Sequence, residues 1–326
     1  KYFSSTIIWF YAIPLPGGLL TMTVLSMNLF SFFLKPNVWN KNKLGVLIVH
    51  IGALILLIGS GITSVFSKEG NMIIIENEQS NYMHSFYYKE FTILNLDEYQ
   101  DSIEVINFNE KLFSNEQILS YSNLPFQIKI EKYFINSKIS PRENDDLLPL
   151  RGDAIKFELK EKFPEKEMNE NISGIMYQII SEDESVNGYY IYQLEQKMPE
   201  VITINNMSYA LLLRPARTYL PFEIKLEDFQ KTMHPGTNIA KSFSSEIFLI
   251  EKETSRRILI EMNAPLRYKG YTLYQASFAE LQDGREATVL AVVQNYGRLF
   301  PYISSIIMCI GVLLQMIIRI PGLMKK

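Results

Sequence analysis

Cysteine is nearly absent from this sequence of 326 residues, and the single one, Cys309, lies in an apolar run near the carboxyl end. A disulfide or a Cys-x-x-Cys redox pair needs two cysteines, so neither can form within this chain. Histidine is almost as rare, with three residues, His50, His84 and His234, and tryptophan occurs twice. Thiol exchange is therefore excluded, and Cys309 is interpreted as a small packing residue within a membrane helix.

Acidic residues are missing from both ends of the chain. All 35 lie between residues 68 and 298, whereas residues 1–66 and 299–326 contain none. The middle segment also holds 25 of the 32 basic residues, which gives it a net charge of −10. This distribution predicts an acidic water-soluble domain between membrane segments, and it argues against nucleic acid as a partner.

Long apolar runs fill the uncharged ends. Leu44–Phe66 has 23 residues without a formal charge, and a helix needs about 20 apolar residues to cross a bilayer. Gly17–Leu34 and Leu299–Ile318 are predicted as further spans, so we expect an integral membrane protein with about three transmembrane helices. Residues before Pro16 are interpreted as an aromatic-rich interfacial approach, with one broken helix over the whole first run as the alternative.

Basic residues predict the orientation. Lys35, Lys41 and Lys43 precede the central run and Arg319 follows the last one, and the positive-inside rule places both positions in the cytoplasm. The acidic domain then lies on the periplasmic, extracytoplasmic side of a multi-pass protein of the inner (cytoplasmic) membrane. The sequence begins without methionine or a basic region before a cleavage site, so we expect its start to be internal to a longer protein and not a signal peptide.

One ionisable residue interrupts the central run. His50 lies six residues after Leu44, which is about 9 Å along a helix. An ionisable group at that depth is by default a functional-site hypothesis. It is interpreted either as a polar residue bonded to a neighbouring helix or as an axial haem or metal ligand, because neutral imidazole is the commonest side-chain ligand.

The spacing of glycines separates two faces of this predicted helix. Gly45, Gly52 and Gly59 recur every seven residues and form a stripe along which membrane helices can approach closely. At about 100° per residue, His50 projects from nearly the opposite face. The helix can therefore pack on one side and present the imidazole to a flat apolar ring on the other.

Other polar candidates have weaker support. Asn28 and Gln315 are expected near the depth of His50, where they would orient the imidazole or, in the favoured interpretation, hold helices together. His84 and His234 are interpreted as ordinary strand or loop residues of the middle domain, because no paired ligand stands near either in sequence.

The middle segment consists of short alternating runs rich in β-branched and aromatic residues, without long helical periodicity. This pattern predicts a large all-β domain, a sandwich or a pair of barrels. Turn signals such as Asn187-Gly188, Asn205-Asn206 and Pro235-Gly236 separate the strands. Residues 124–131 match residues 220–227 at an offset of 96, which suggests two related halves.

Together these signals predict six parts: an interfacial approach with a transmembrane helix (1–34), a cytoplasmic loop (35–43), a transmembrane helix with His50 (44–66), an extracytoplasmic β domain (67–298), a transmembrane helix (299–320) and a cytoplasmic tail (321–326).

Two sequence runs resemble the ResB/CcsB family of cytochrome c biogenesis proteins. Lys43–Gly70 contains the His50 helix and the sequence Gly-Ser-Gly-Ile-Thr-Ser-Val-Phe-Ser-Lys-Glu-Gly. Met262–Phe278 reads Met-Asn-Ala-Pro-Leu-Arg-Tyr-Lys-Gly-Tyr-Thr-Leu-Tyr-Gln-Ala-Ser-Phe. Phe222–Phe229 and Pro235-Gly236 also fit, and the likeness extends over roughly residues 17–320.

The resemblance implies a part in the System II cytochrome c synthase. In that system CcsB and CcsA, as partners or fused as CcsBA, carry haem b across the membrane and attach it to the Cys-x-x-Cys-His motif of apocytochrome c. His50 matches the family's intramembrane haem-ligating histidine. The external haem ligands and a tryptophan-rich segment belong to CcsA, and the only tryptophans here are Trp9 and Trp39. The chain therefore resembles CcsB alone or the CcsB portion of a fusion.

The sequence leaves several functions open. The first is a CcsB-type haem transporter, with holocytochrome c synthase (haem lyase) activity only together with a CcsA partner and with no catalytic residue of its own. The second is a non-catalytic membrane-anchored binding or assembly module, and the third is a haem exporter without lyase activity.

Arg267 and Lys269 have two equally expected roles. They could contact haem propionates or apocytochrome c, or they could stabilise the fold.

Overall fold

The computed structural model describes residues 7–10, 13–96, 103–142, 148–165, 170–194, 196–236, 240–281 and 284–323. Its internal contacts divide the chain into two compact units. The helical unit comprises Lys1–Lys68, Arg267–Thr272 and Val293–Lys326, and the β unit comprises Glu69–Leu266 and Leu273–Val292.

The helical unit contains three helices and a short antiparallel hairpin, with the following bounds: β1 Ile7–Phe10, β2 Ile13–Pro16, α1 Gly18–Phe33, α2 Leu44–Phe66 and α3 Phe300–Leu323. In the described part of the chain, α2 and α3 are long and apolar enough to cross a membrane, by length and composition. With 16 residues, α1 reaches only about 24 Å, against a bilayer core of about 30 Å. Two candidate spans are present, and the third stays a prediction.

The glycine stripe of α2 packs against α3, as its spacing predicts. Gly45, Gly52 and Gly59 are buried. A Cβ added to Gly45 would clash with the backbone of α3, because it would meet the Gly311 carbonyl oxygen and the Gln315 backbone nitrogen. Only glycine permits this approach of the two backbones.

Cys309 is exposed on α3. The interpretation of Cys309 as a packing residue is therefore wrong for the contacts of the helical unit.

The β unit is built from strands β3 to β18, some of which continue into the helical unit. Their bounds are β3 Lys68–Ile75, β4 Gln79–Asn95, β5 Val105–Asn109, β6 Ile118–Leu119, β7 Phe126–Phe134, β8 Ser137–Pro141, β9 Phe157–Glu161, β10 Gly174–Ser181, β11 Gly188–Gln193, β12 Glu200–Ile204, β13 Met207–Met233, β14 Ala240–Glu251, β15 Thr254–Glu261, β16 Leu266–Tyr268, β17 Tyr271–Glu280 and β18 Glu286–Gln294.

Two sheets enclose the main core. A four-stranded sheet has the order β11-β10-β7-β6, and a ten-stranded sheet runs β15-β14-β13-β4-β3-β18-β17-β16, with β12 beside β13 and β5 beside β4. Aromatic pairs join the sheets: Phe91 meets Tyr177 edge-on with ring centroids 4.9 Å apart, and Phe126 meets Tyr209 at 5.3 Å. The predicted large β domain is thus observed, with a sandwich in one part of it.

The large sheet curls where β14 faces β17 and β18. These strands are not neighbours in the sheet order, yet buried Ser245 donates a hydrogen bond to Gln275 Oε1 (2.7 Å) and also contacts Thr288 Oγ1 (2.8 Å). Each buried polar group therefore has a partner across the curl, as stability requires.

Strand β13 continues over 27 residues through two prolines. Its pairing with β4 shifts register after Pro215 and again in the segment that contains Pro221. Bulges accommodate the missing proline N–H groups, so short predicted strands merge into one long strand. The matching runs 124–131 and 220–227 lead into or lie in different sheets, β7 and β13, and their common origin stays a prediction.

Candidate functional site

The candidate site centres on His50, in the second turn of α2. His50 Nδ1 lies 2.8 Å from the backbone carbonyl oxygen of Val46, one turn earlier. A carbonyl oxygen only accepts, so Nδ1 carries the proton and donates it. The other ring nitrogen, Nε2, is then the unprotonated one in the neutral imidazole. This is the tautomer and orientation that metal-ligating histidines adopt when a backbone carbonyl holds Nδ1.

No hydrogen bond joins His50 to a side chain of another helix within the described residues. The polar-linker interpretation of His50 expects such a bond, and the observed bond lies within α2 itself. Nε2 is engaged by no described residue. Its lone pair is therefore not used by the described part of the chain.

Phe32 of α1 contacts His50 by stacking. The two ring centroids are 3.7 Å apart and the ring planes are inclined by 11°. Stacking covers a face of the imidazole, whereas coordination to iron uses the lone pair in the plane of the ring. The Phe32 contact therefore fixes the plane of the imidazole without using the nitrogen that would bind iron.

Gln315 of α3 fixes the start of α2 just before His50. Its Oε1 accepts a hydrogen bond from the Val46 N–H (3.1 Å), and its Nε2 donates to the Asn42 carbonyl oxygen (3.0 Å). The first N–H groups of a helix have no partner within the helix, so Gln315 supplies one from α3. The favoured interpretation of Gln315 as a residue that holds helices together is confirmed. Because Val46 also accepts from His50, one residue links Gln315 to the imidazole.

The face of α2 that carries His50 is less tightly packed than the glycine face. Ala53, Leu54 and Leu57 are only partly buried. A Cβ added to Gly61, farther along this face, would meet no atom within 4 Å. This apolar face of α2 has open space and can accommodate a flat apolar ring. The helical spacing of His50 and the glycines predicts such a face.

The structure does not bring the other predicted residues to His50. Asn28 is exposed on α1, where its carbonyl oxygen accepts from Ser31, and no described contact joins its side chain to His50. His84 lies within β4 and His234 just after β13, both in the β unit, so their interpretation as strand or loop residues is confirmed. No cluster of three or more His, Cys, Asp or Glu side chains suited to a metal ion occurs among the described residues.

His84 occupies a partly buried basic environment. Burial, and then the nearby Arg217 guanidinium, lower the pKa of His84 below its usual 6.5. Its ring meets Tyr82 edge-on at 5.2 Å, and Arg217 lies 4.2 Å from the centre of the Tyr82 ring. The neutral form of His84 is therefore favoured.

Phe32 is the site residue that the sequence analysis missed. It lies in an apolar run with four phenylalanines or leucines close by, so composition does not distinguish it. Its position relative to His50 depends on how α1 packs against α2, which a single sequence does not reveal.

His50, whose Nε2 is engaged by no described residue, lies on an apolar helix pair that is continuous in sequence with a large β unit. Residues 40–133 and 179–285 match the ResB-like family, and the chain belongs to it. It is a protein of the ResB/CcsB type, which supports a role in cytochrome c biogenesis. The two apolar helices and this membership together indicate a membrane protein.

Among curated proteins, the chain is similar to Protein NrfI of Wolinella succinogenes. The two are 22% identical over 271 residues, which cover 81% of this chain and 26% of NrfI. The chain thus spans about a quarter of the length of that relative.

Proposed function

We propose that this chain is the CcsB-type portion of a System II cytochrome c synthase and that His50 is an axial ligand to haem b during its passage across the membrane. Haem is the cargo of the protein in this proposal. Apocytochrome c is the acceptor, and a CcsA-type protein or fused CcsA portion is the partner. Membership in the ResB-like family supports the process, and the geometry of His50 supports the residue.

One observation carries the assignment of His50. The Val46 carbonyl oxygen fixes the proton on Nδ1, while no described residue engages Nε2. An axial ligand to iron requires that lone pair. The stacked Phe32 ring and the apolar side chains around it fit a flat apolar macrocycle better than a hydrated ion.

The proposed orientation follows from charge. Lys41 and Lys43 lie at the start of α2, and Arg319 lies near the end of α3. The positive-inside rule then places these ends in the cytoplasm and the β unit in the periplasm. His50 lies in the cytoplasmic half of the membrane in this orientation, where it would receive haem from the inside.

A second axial ligand is proposed to come from the partner. His50 is the only histidine of the helical unit, since His84 and His234 belong to the β unit. Attachment of haem forms thioether bonds between its vinyl groups and the two thiols of apocytochrome c. Positioning of haem is therefore the main contribution proposed for this chain.

The test is the haem content of the purified complex with the partner. His50→Ala should remove most of the bound haem or change its axial ligation, as read from the absorption spectrum. His234→Ala is the matched control, because it removes an exposed histidine of the β unit and should leave the spectrum unchanged. Equal haem content and identical spectra for both variants would overturn the assignment of His50.

The same preparation distinguishes the other functions. A colourless complex that is indifferent to His50→Ala would identify a binding or assembly module. Haem-loaded complex that transfers no haem to apocytochrome c in the presence of the CcsA partner would identify an exporter without lyase activity.

A further inference from the structure

A small pocket lies beside the start of α3, entirely within the helical unit. Its volume is about 240 Å³, and its lining comes from residues 267–271 and from residues 295, 296, 298 and 299. The first segment includes the turn between β16 and β17, and the second leads into α3. The pocket thus lies at the opposite end of α3 from Gln315.

Three cationic side chains line this pocket. They are Arg267, Lys269 and Arg298, and no aspartate or glutamate is among the lining residues. All three are exposed. Neither Arg267 nor Arg298 forms an ion pair with a residue in the described ranges. Two arginines and a lysine in the lining of one pocket concentrate positive charge there, so a bound anion would lower their mutual repulsion.

The turn that carries Lys269 is fixed by backbone geometry. Lys269 and Gly270 form a two-residue connection between the paired strands β16 and β17, and both have positive φ, 46° and 82°. Two consecutive positive φ angles are the signature of a type I′ turn, which matches the twist of a hairpin. The turn therefore holds the Lys269 backbone in one conformation.

The segment that carries Arg298 is anchored to α2. Asn295 Oδ1 accepts hydrogen bonds from the Gly297 N–H (2.7 Å) and from the Thr63 hydroxyl (3.0 Å). A Cβ at Gly297 would lie 2.1 Å from Thr63 Oγ1, so glycine permits this close approach. The approach to α3 is thereby fixed before Arg298 enters the pocket.

Aromatic and apolar side chains lie on the rim of the pocket and just beyond it. Tyr296 and Leu299 are 63% and 56% exposed, and Tyr302, in the first turn of α3, is 65% exposed. Tyrosine at the end of an apolar helix is typical of the level of lipid headgroups. Ligand pockets for drug-sized molecules hold about 300–1,000 Å³, so this pocket suits a headgroup and not a macrocycle.

We propose that Arg267, Lys269 and Arg298 bind the phosphate group of an anionic phospholipid at the end of α3 where that helix begins. Guanidinium and ammonium groups are the usual ligands of phosphate, and arginine can bind it with two parallel hydrogen bonds. The exposed tyrosines contact the glycerol region and upper acyl chains. The bound lipid fixes the depth of α3 in the bilayer.

The experiment measures binding of dihexanoyl phosphatidylglycerol to the purified full chain in a neutral detergent, by native mass spectrometry and by titration. The variant is Arg267→Gln, Lys269→Gln and Arg298→Gln together. These exposed positions tolerate glutamine without loss of the fold, which thermal unfolding checks. We expect at least tenfold weaker binding and a loss of the dependence of binding on ionic strength.

The matched control removes the same charge elsewhere. Lys156→Gln, Lys197→Gln and Arg256→Gln change three exposed cations of the β unit and should leave phosphatidylglycerol binding unchanged. Equal loss of binding in both triple variants would overturn the proposal, because net charge alone would then explain it.

Two further probes distinguish other anions. Dihexanoyl phosphatidylcholine should bind at least tenfold more weakly than phosphatidylglycerol. Inorganic phosphate that binds as tightly as phosphatidylglycerol, or haem whose binding depends on the same three cations, would overturn the assignment to a lipid. Neither result depends on the role of His50.

Discussion

The phenyl ring of Phe32 lies parallel to the imidazole of His50, with centroids 3.7 Å apart and planes inclined by 11°. The contact joins α1 to the face of α2 that is opposite the glycine stripe. It restricts rotation of the imidazole about its Cβ–Cγ bond while the hydrogen bond to Val46 fixes the tautomer. Together they hold Nε2 in one orientation.

Loss of the Phe32 ring should weaken haem binding without abolishing it. A stacked aromatic pair contributes about 0.5–1.5 kcal/mol, so Phe32→Ala is expected to reduce haem affinity by roughly 2- to 10-fold. Phe32→Tyr should restore it, since an aromatic ring is retained. Phe30→Ala, which removes an exposed ring from the same helix, is the control, and an equal effect of both alanines would contradict a specific role of Phe32.

Two glycines of α2 should respond in opposite ways to alanine. Gly45→Ala places a methyl group 2.4 Å from the Gly311 carbonyl oxygen, so it should disrupt the contact between α2 and α3. Gly61→Ala meets no atom within 4 Å and removes a poor helix former, which favours the helix by roughly 0.5–1 kcal/mol. Thermal unfolding in detergent measures both. Equal stability of the two variants would contradict the observed packing.

The buried pair of Glu90 and Arg214 gives a test within the β unit. The residues are 7% and 8% exposed, and Arg214 Nε lies 2.8 Å from Glu90 Oε1. Removal of one partner leaves a buried charge, so Glu90→Leu should cost about 3–5 kcal/mol of unfolding free energy. Glu90→Leu combined with Arg214→Met should cost clearly less than the sum of the two single changes, as measured by urea unfolding. Additive losses would contradict direct coupling.

Glu200 should make the stability of the β unit depend on pH. Burial, and then the Asp153 carboxylate, raise the pKa of Glu200 above its usual 4.5. The folded state therefore resists deprotonation of Glu200 more than the unfolded state does, and stability falls as pH rises from about 4.5 through the raised pKa. Glu200→Gln should raise the melting temperature at pH 8 relative to the unchanged protein.

That difference should narrow as pH falls and should vanish below about 4.5, where Glu200 is protonated in both states. Glutamine keeps an oxygen that can accept the hydrogen bond from the Asp153 backbone. The two proteins therefore differ in the charge at residue 200 and not in this hydrogen bond. Glu253→Gln, which removes an exposed carboxylate at a turn of the β unit, is the control. A difference that stays constant from pH 5 to pH 8 would contradict the role of the Glu200 charge.

Periodicity and composition predicted the parts of this fold that depend on local pattern. Uncharged runs located α2 and α3 closely, and the seven-residue spacing of Gly45, Gly52 and Gly59 predicted the face that packs. The turn at Asn205-Asn206 was also predicted, and both residues have positive φ. In each case, neighbouring residues determine the structure.

Features that depend on contacts distant in sequence were not predicted. β13 continues through Pro215 because its pairing shifts register there, and a strand pattern read alone ends at a proline. The exposure of Cys309 depends on which face of α3 meets α2. Phe32 could not be selected among similar residues before the packing of α1 was known.

Replacement of His50 by glycine, followed by addition of imidazole, tests the central claim most directly. The purified complex with His50→Gly should lose the low-spin haem spectrum, and added imidazole should restore it by occupying the position of the missing side chain. Absorption and electron paramagnetic resonance spectra record the ligand field of the iron in both states. A low-spin spectrum in His50→Gly that is unchanged from the original protein, before any imidazole is added, would contradict coordination of haem by His50.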